Sequence, residues 1–144
     1  MEQQNFTLLH VSEIPFKMNL DVKEINEEIK KKLGIAFLFV LQYQKGNKAS
    51  ALHSVVRITL DNNVILEGGA TLIFDSKKWD EMPHDEESVR KSGFAKKLVG
   101  YALPYISGIM FARTQDTKLK GLFLPAVDPA ELVSYIKVEE VKEK

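Results

Sequence analysis

The chain has 144 residues, 44% apolar and 28% charged, with twenty basic side chains balanced by twenty acidic ones. This is an ordinary globular composition with enough chain to bury a core, so one domain over residues 1–144 is expected; the neutral balance excludes recruitment of nucleic acid or an anionic membrane by net charge. Cysteine is absent, which excludes disulfides, thiolate zinc sites and cysteine nucleophiles.

The first ten residues, MEQQNFTLLH, have neither the basic nor the apolar region of a secretory signal. No apolar run approaches the roughly 20 residues that span a bilayer, so a cytoplasmic protein without membrane insertion is expected. Over residues 5–18, Phe6, Leu8, Ile14, Phe16 and Met18 share one parity and Thr7, Glu13 and Lys17 the other, the pattern of a strand with one buried face. Pro15 cannot donate to a ladder and puts that strand at an edge. Asp21 then caps a short amphipathic helix over 22–33, where Val22, Ile25, Ile29 and Leu33 recur with acids early and lysines late, and Gly34 stops it.

Residues 35–44 are apolar on both parities until Gln42 and read as an interior strand covered on both faces, at least at its start. After the KGNKAS turn, residues 51–60 place Leu52, Val56, Ile58 and Leu60 against His53, Arg57 and Thr59. Asp61-Asn62-Asn63 supplies hairpin chemistry, because Asp and Asn tolerate the left-handed region that tight turns use. The strand over 64–75 follows, interrupted by Gly68-Gly69, a pair that predicts a bulge or bend. Residues 76–91 form a polar connection holding Trp79, the sole tryptophan, and Asp85-Glu86-Glu87 reads as the negative first turn of a long helix.

That helix is the chain's most apolar part. Phe94, Leu98, Tyr101, Tyr105 and Ile109 line one side, while Val99, Ala102, Leu103, Ile106 and Met110 fill much of the rest. A helix apolar all round must be buried all round, and a small sheet covers one side only, so self-association through this helix is expected. Pro104 removes one helical hydrogen bond and predicts a kink. Gly100 and Gly108 flank it and would admit a close second helix. An extended run leads through Leu122 to Pro125, Asp128 caps a final helix with Pro129 at its first position, and the tail KVEEVKEK reads as a frayed helical end.

Chemistry-bearing motifs are scarce. His10, His53 and His84 are not spaced as ligands on one element, and there is no HExxH, GxSxG, GxGxxG after a strand or GxxxxGK[ST]. No metal, cofactor or catalytic residue is expected; a small-molecule enzyme would need a pocket in which Glu67 and His53 or His10 converge, which no spacing predicts. What stands above background is aromatic surface. Phe37, Phe39, Tyr43, Trp79, Phe111 and Phe123 are candidates for core or for a partner-facing surface, and Trp79 and Phe123 sit among polar or glycine neighbours. Rings beside a sheet suit sequence-tolerant contact with extended apolar peptides.

These residues resemble a known family. Leu103-Pro104-Tyr105 resembles the Phe-Pro-Tyr inside the long helix of SecB, the bacterial export chaperone, and its SecB-like relatives. Leu122, Leu124, Val127, Asp128 and Leu132 resemble the crossover into the family's last helix. Residues 6–16 resemble its first strand and VVRITLDNNVILEGGATLIFD its central hairpin.

The resemblance implies an α+β fold: a four-stranded antiparallel sheet with the long kinked helix and a short C-terminal helix on one face. It also implies a dimer or tetramer joined through the long helices, here by Leu98, Tyr101, Ala102, Tyr105, Ile106, Ile109 and Met110. It implies grooves for unfolded or nascent polypeptide clients around Phe111, Leu119, Leu122, Phe123 and Leu124, with Phe74 and Trp79 on the other wall. The function implied is an ATP-independent holdase for preproteins or a dedicated client such as an antitoxin. The family's export member is strongly acidic and docks on the SecA motor; this chain is neutral and ends in EEVKEK, which argues against that coupling. A non-catalytic structural or regulatory homo-oligomer, whose apolar surface serves self-association alone, is the alternative.

Overall fold

Strands over residues 7–18, 34–43, 49–60, 63–75 and 136–140 build one sheet, and an apolar helix closes its inner face. The structure, a computed structural model, describes residues 7–18, 27–47, 49–115 and 128–141. In chain order these form β1 (Thr7–Met18), α1 (Glu27–Lys32), β2 (Gly34–Tyr43), β3 (Ala49–Leu60), β4 (Asn63–Asp75), α2 (Lys77–Glu81), α3 (Glu86–Lys91), α4 (Gly93–Thr114), α5 (Pro129–Leu132), a 3-10 turn (Val133–Tyr135) and β5 (Ile136–Glu140).

The sheet order is β1-β4-β3-β2-β5. β1 through β4 pair antiparallel, and β1 lies at an edge as Pro15 requires. Asp61 and Asn62 both adopt positive φ, 52° and 68°, the two-residue turn whose twist matches that of the flanking strands, so Leu60 faces Asn63. Between β1 and β4 the register slips where Pro15 and Phe16 stand against Gly68. Here the bulge predicted at the glycine pair belongs to the partner strand. A second slip between Leu8 and His10 breaks the single parity read along β1 and turns Leu9 out, 53% exposed.

Two expectations are corrected here. The sheet is not four antiparallel strands but five in mixed arrangement, because the tail expected as helix pairs parallel to β2 as β5, with Ile136 opposite Phe39 and Val138 opposite Leu41. Ile136 enters the core at 0% exposure while Lys137 and Glu139 face out, so period two wins over a charge pattern that suits a helix end. The connection over 76–91 is not featureless either. Ser76 caps α2 through a hydrogen bond from the Trp79 amide, and Asp85 caps α3 through Ser88. The acidic turn Glu86-Glu87 therefore opens α3, and Ser92 is the N-cap of α4. Of the helix expected over 22–33, residues 27–32 form α1; residues 22–26 and the Asp21 cap lie outside the described residues.

α4 packs on β3 and β4. Its buried stripe is Phe94, Ala95, Leu98, Val99, Ala102, Ile106 and Met110, set against Leu52, Val56, Leu66, Ala70, Leu72 and Phe74 of the sheet. Pro104 costs the helix about 3 kcal/mol, which burial of the five larger side chains, at about 1.5–3 kcal/mol each, outweighs. The expectation of a helix buried on every side is corrected for the single chain: Tyr101, Tyr105 and Phe111 are 49%, 41% and 47% exposed. Among the described residues no helix is long and apolar enough to cross a membrane.

The far end of α4 is tied to β1. Arg113 donates through Nε to Glu13 Oε1 at 2.7 Å and through a second nitrogen to Oε2. These hydrogen bonds, then the guanidinium charge, hold the Glu13 carboxyl below its usual range and raise Arg113. A carboxyl depressed in the folded state adds stability above its unfolded pKa and loses it as pH falls through the lower folded value. Glu13→Gln is expected to flatten the fall in stability below about pH 4, an effect that salt shrinks because the pair is at the surface. Urea midpoints at neutral and acid pH check this; parallel losses in wild type and variant would exclude it.

Candidate functional site

Two surfaces carry aromatic side chains out of the core. The first is the outer side of α4, where Tyr101, Tyr105 and Phe111 are exposed and Gly108 has open space where a Cβ would stand; Leu103 and Ile109 are half-buried against the core. Both termini of this surface are fixed: Ser92 caps the start, accepting from the Ala95 amide at 3.2 Å, and Arg113 holds the end to β1.

The second is a groove of about 450 Å³ between the Gln44–Asn47 turn and α2. Its floor is a stack of rings. His84 lies flat on Trp79 with centroids 3.8 Å apart and planes at 7°, and Tyr43 meets His84 edge-on at 4.4 Å. His84 Nε2 stands 2.7 Å from the Trp79 carbonyl, which only accepts, so Nε2 carries the proton. Trp79 Nε1–H donates to Ser50 Oγ at 3.0 Å, and its ring reaches Phe94 at 5.9 Å. Lys45 at the mouth stands 3.8 Å from Glu140, and Gly46, at φ 83°, turns the chain with no side chain in the opening.

The structure distributes the expected site residues unevenly. Phe111 is exposed, whereas Phe74 and Trp79, expected as a groove wall, are 0% and 1% exposed and belong to the core. Trp79 is accounted for by partners distant in sequence, Ser50 and Phe94. Leu119, Leu122, Phe123 and Leu124 lie outside the described residues. Of the expected assembly residues, Leu98, Ala102 and Ile106 are 0% and Met110 4% exposed within the single chain, so their surface is spent on its own sheet. Tyr101 and Tyr105 remain exposed, and Ile109 is half-buried against the core. Phe39 is fully buried, and Phe37 stacks beside it at 6.2 Å.

His84, set aside in the sequence because it is not spaced as a metal ligand, is a groove residue that reading missed. Its five-residue separation from Trp79 across the end of α2 was the available cue. Glu67 and His53 have separate partners. Arg57 Nε donates to Glu67 at 2.6 Å, while His53 lies between Thr71 Oγ1 at 2.9 Å and Gln42 Oε1 at 3.0 Å. Among the described residues no group of three or more His, Asp or Glu side chains forms a metal cluster.

No protein-family model and no curated protein matches the chain. Among solved structures it is similar to a SecB-like chaperone of Mycobacterium tuberculosis in complex with a peptide of an antitoxin, at 12% identity and a TM-score of 0.58, over 85% of this chain and 88% of that one. It also aligns with a protein of unknown function from Streptococcus agalactiae at 13% identity and a TM-score of 0.37, over 83% of this chain and 99% of that one. The first likeness is one of fold: the chain has a SecB-like α+β architecture.

Proposed function

We propose that this protein is an ATP-independent, polypeptide-binding chaperone, which holds exposed apolar segments of a non-native chain and so removes them from aggregation by mass action. The observation that carries this reading is the outer side of α4, where three large rings stay 41–49% exposed although the opposite stripe is fully buried. Exposed rings on a rigid helix contribute contact area at low entropic cost and without demanding one partner shape. The SecB-like fold supports the same reading, and the M. tuberculosis chaperone of that fold was captured with an antitoxin peptide, which favours an extended polypeptide as ligand class.

In this reading Tyr101, Tyr105 and Ile109 join copies into a dimer or tetramer. Phe111, with Leu119, Leu122, Phe123 and Leu124 of the crossover, meets the client. The reaction involves no catalytic residue or cofactor, the compartment is the cytoplasm, and SecA coupling is not invoked.

Aggregation of a reduced, unfolded model protein, followed by light scattering, tests it. Wild type at stoichiometric amounts is expected to suppress aggregation, and Phe111→Ala to weaken suppression several-fold while thermal stability changes by less than about 1 kcal/mol, as for other exposed sites. Tyr101→Ala with Tyr105→Ala is expected to lower the assembly state. Absence of protection by wild type would sink the chaperone reading and leave the self-associating oligomer in its place.

A further inference from the structure

A strand at the edge of a sheet presents a row of backbone donors and acceptors to any passing extended chain. In β5 these groups can be assigned. Val141 N–H donates to the Tyr43 carbonyl at 2.7 Å, and in a parallel ladder alternate residues face the neighbour. Residues 137, 139 and 141 therefore address β2, and Ile136 and Val138 direct their backbone groups away from the sheet.

Two of those outward groups are taken by side chains. Arg90 Nε–H donates to the Ile136 carbonyl at 2.9 Å, and Glu86 Oε1 accepts from the Val138 amide at 3.2 Å. The Ile136 amide is taken by the Val133 carbonyl. The carbonyl of one residue and the amide two residues on are the pair that a single residue of a parallel neighbour would engage, giving its N–H to the first and its carbonyl to the second. Here the guanidinium supplies the donor and the carboxylate the acceptor. Both come from one face of α3, one turn apart, where the pair also stands 3.6 Å from each other. Val89, 0% exposed, anchors α3 in the core, and the Asp85 cap fixes its first turn, so the two side chains are held in position by the fold.

We propose that Glu86 and Arg90 stand in for one residue of a sixth strand and close the β5 edge to strand addition; with both removed, the edge pairs with that of a second copy of this chain. The device does not depend on the chaperone reading. A protein of any function with an open parallel edge faces the same hazard, and the seal uses the two groups whose polarity matches the exposed carbonyl and amide.

Glu86→Ala with Arg90→Ala tests this, read by amide exchange and by light scattering over a wide concentration range. Exchange of the Val138 amide is expected to quicken by at least about tenfold, with the Val141 amide, bonded to β2, unchanged as an internal control. Mass is expected to rise with concentration beyond wild type, and addition of Val138→Pro, which deletes the outward donor, to return it to the wild-type value. A folded double variant with wild-type mass at every concentration, or an unchanged Val138 exchange rate, would overturn the proposal. Should the double variant fail to fold, Glu86→Ala alone decides by the same exchange measurement.

Discussion

Gly69→Ala is expected to be the most damaging single methyl that can be added to the sheet. β4 lies between β1 and β3, and Gly69 stands opposite Ile14 on one side and Val55 on the other. A Cβ built there falls 1.9 Å from the Ser54 carbonyl oxygen and 2.9 Å from its carbon, both backbone atoms of the adjacent strand. No rotamer relieves such a contact; the ladder has to move apart, taking β3–β4 hydrogen bonds with it. The expected loss is at least about 3 kcal/mol, a large part of the stability of a domain of this size. Gly68→Ala is the internal comparison. Its Cβ would meet Met110 Sδ at 2.8 Å and Phe16 Cδ2 at 3.3 Å, the ends of side chains that can turn aside, so about 1–2 kcal/mol is expected, the usual cost of overpacking. Urea midpoints of the two variants check the order; equal losses would mean that the strand spacing at Gly69 is wider than this geometry.

The glycine pair shows how far pattern reaches. From the chain alone it marks irregularity in β4, but a bulge is a property of a pair of strands, and the extra residue lies in β1 at Pro15 and Phe16. The hairpin at Asp61-Asn62 was fully legible, since one local conformation, left-handed at both positions, decides it. The strands over 51–60 and 64–75 were legible because alternation over many residues leaves one register that buries Leu52, Val56, Leu66 and Leu72 together, and the strand over 35–44 because a run apolar on both parities suits an interior position. β5 was not. Five residues with two inward apolar side chains and three charged ones carry too little period to outvote a helix reading, and what holds them is β2, nearly a hundred residues earlier.

The same division applies to α4. The sequence announces excess apolar surface without saying which stripe the chain spends on itself. Leu98, Ala102, Ile106 and Met110 could be told from Tyr101, Tyr105 and Phe111 only once β3 and β4 were in place to choose a side. The seal at Glu86 and Arg90 was hidden for a related reason: as sequence the two are an ordinary surface ion pair of a short helix, and their targets are backbone atoms.

Trp79→Ala is expected to cost stability before it costs any binding. Judged by its sequence neighbours, Trp79 is an aromatic adrift in a polar stretch and a natural ligand contact. In the fold it is 1% exposed, pressed between His84 and Phe94, with its indole N–H bonded to the buried Ser50 hydroxyl. Truncation opens a cavity between the sheet and the rings of His84 and Phe94, at about 3–5 kcal/mol for a large aromatic, and leaves Ser50 Oγ without its donor at about 1–3 kcal/mol more if water does not enter. Trp79→Phe keeps most of the ring volume and loses chiefly the Ser50 bond, so a loss of about 1–2 kcal/mol is expected. Since this is the sole tryptophan, wild-type emission reports the site directly and is expected to be blue-shifted from that of the unfolded chain. Denaturant midpoints for both variants decide between core and contact. If Trp79→Ala keeps wild-type stability while protection of an unfolded client disappears, the ring serves the groove rather than the core; if stability falls in the order wild type, Phe, Ala, the groove is built on Trp79 but presents Tyr43 and His84 to whatever enters it.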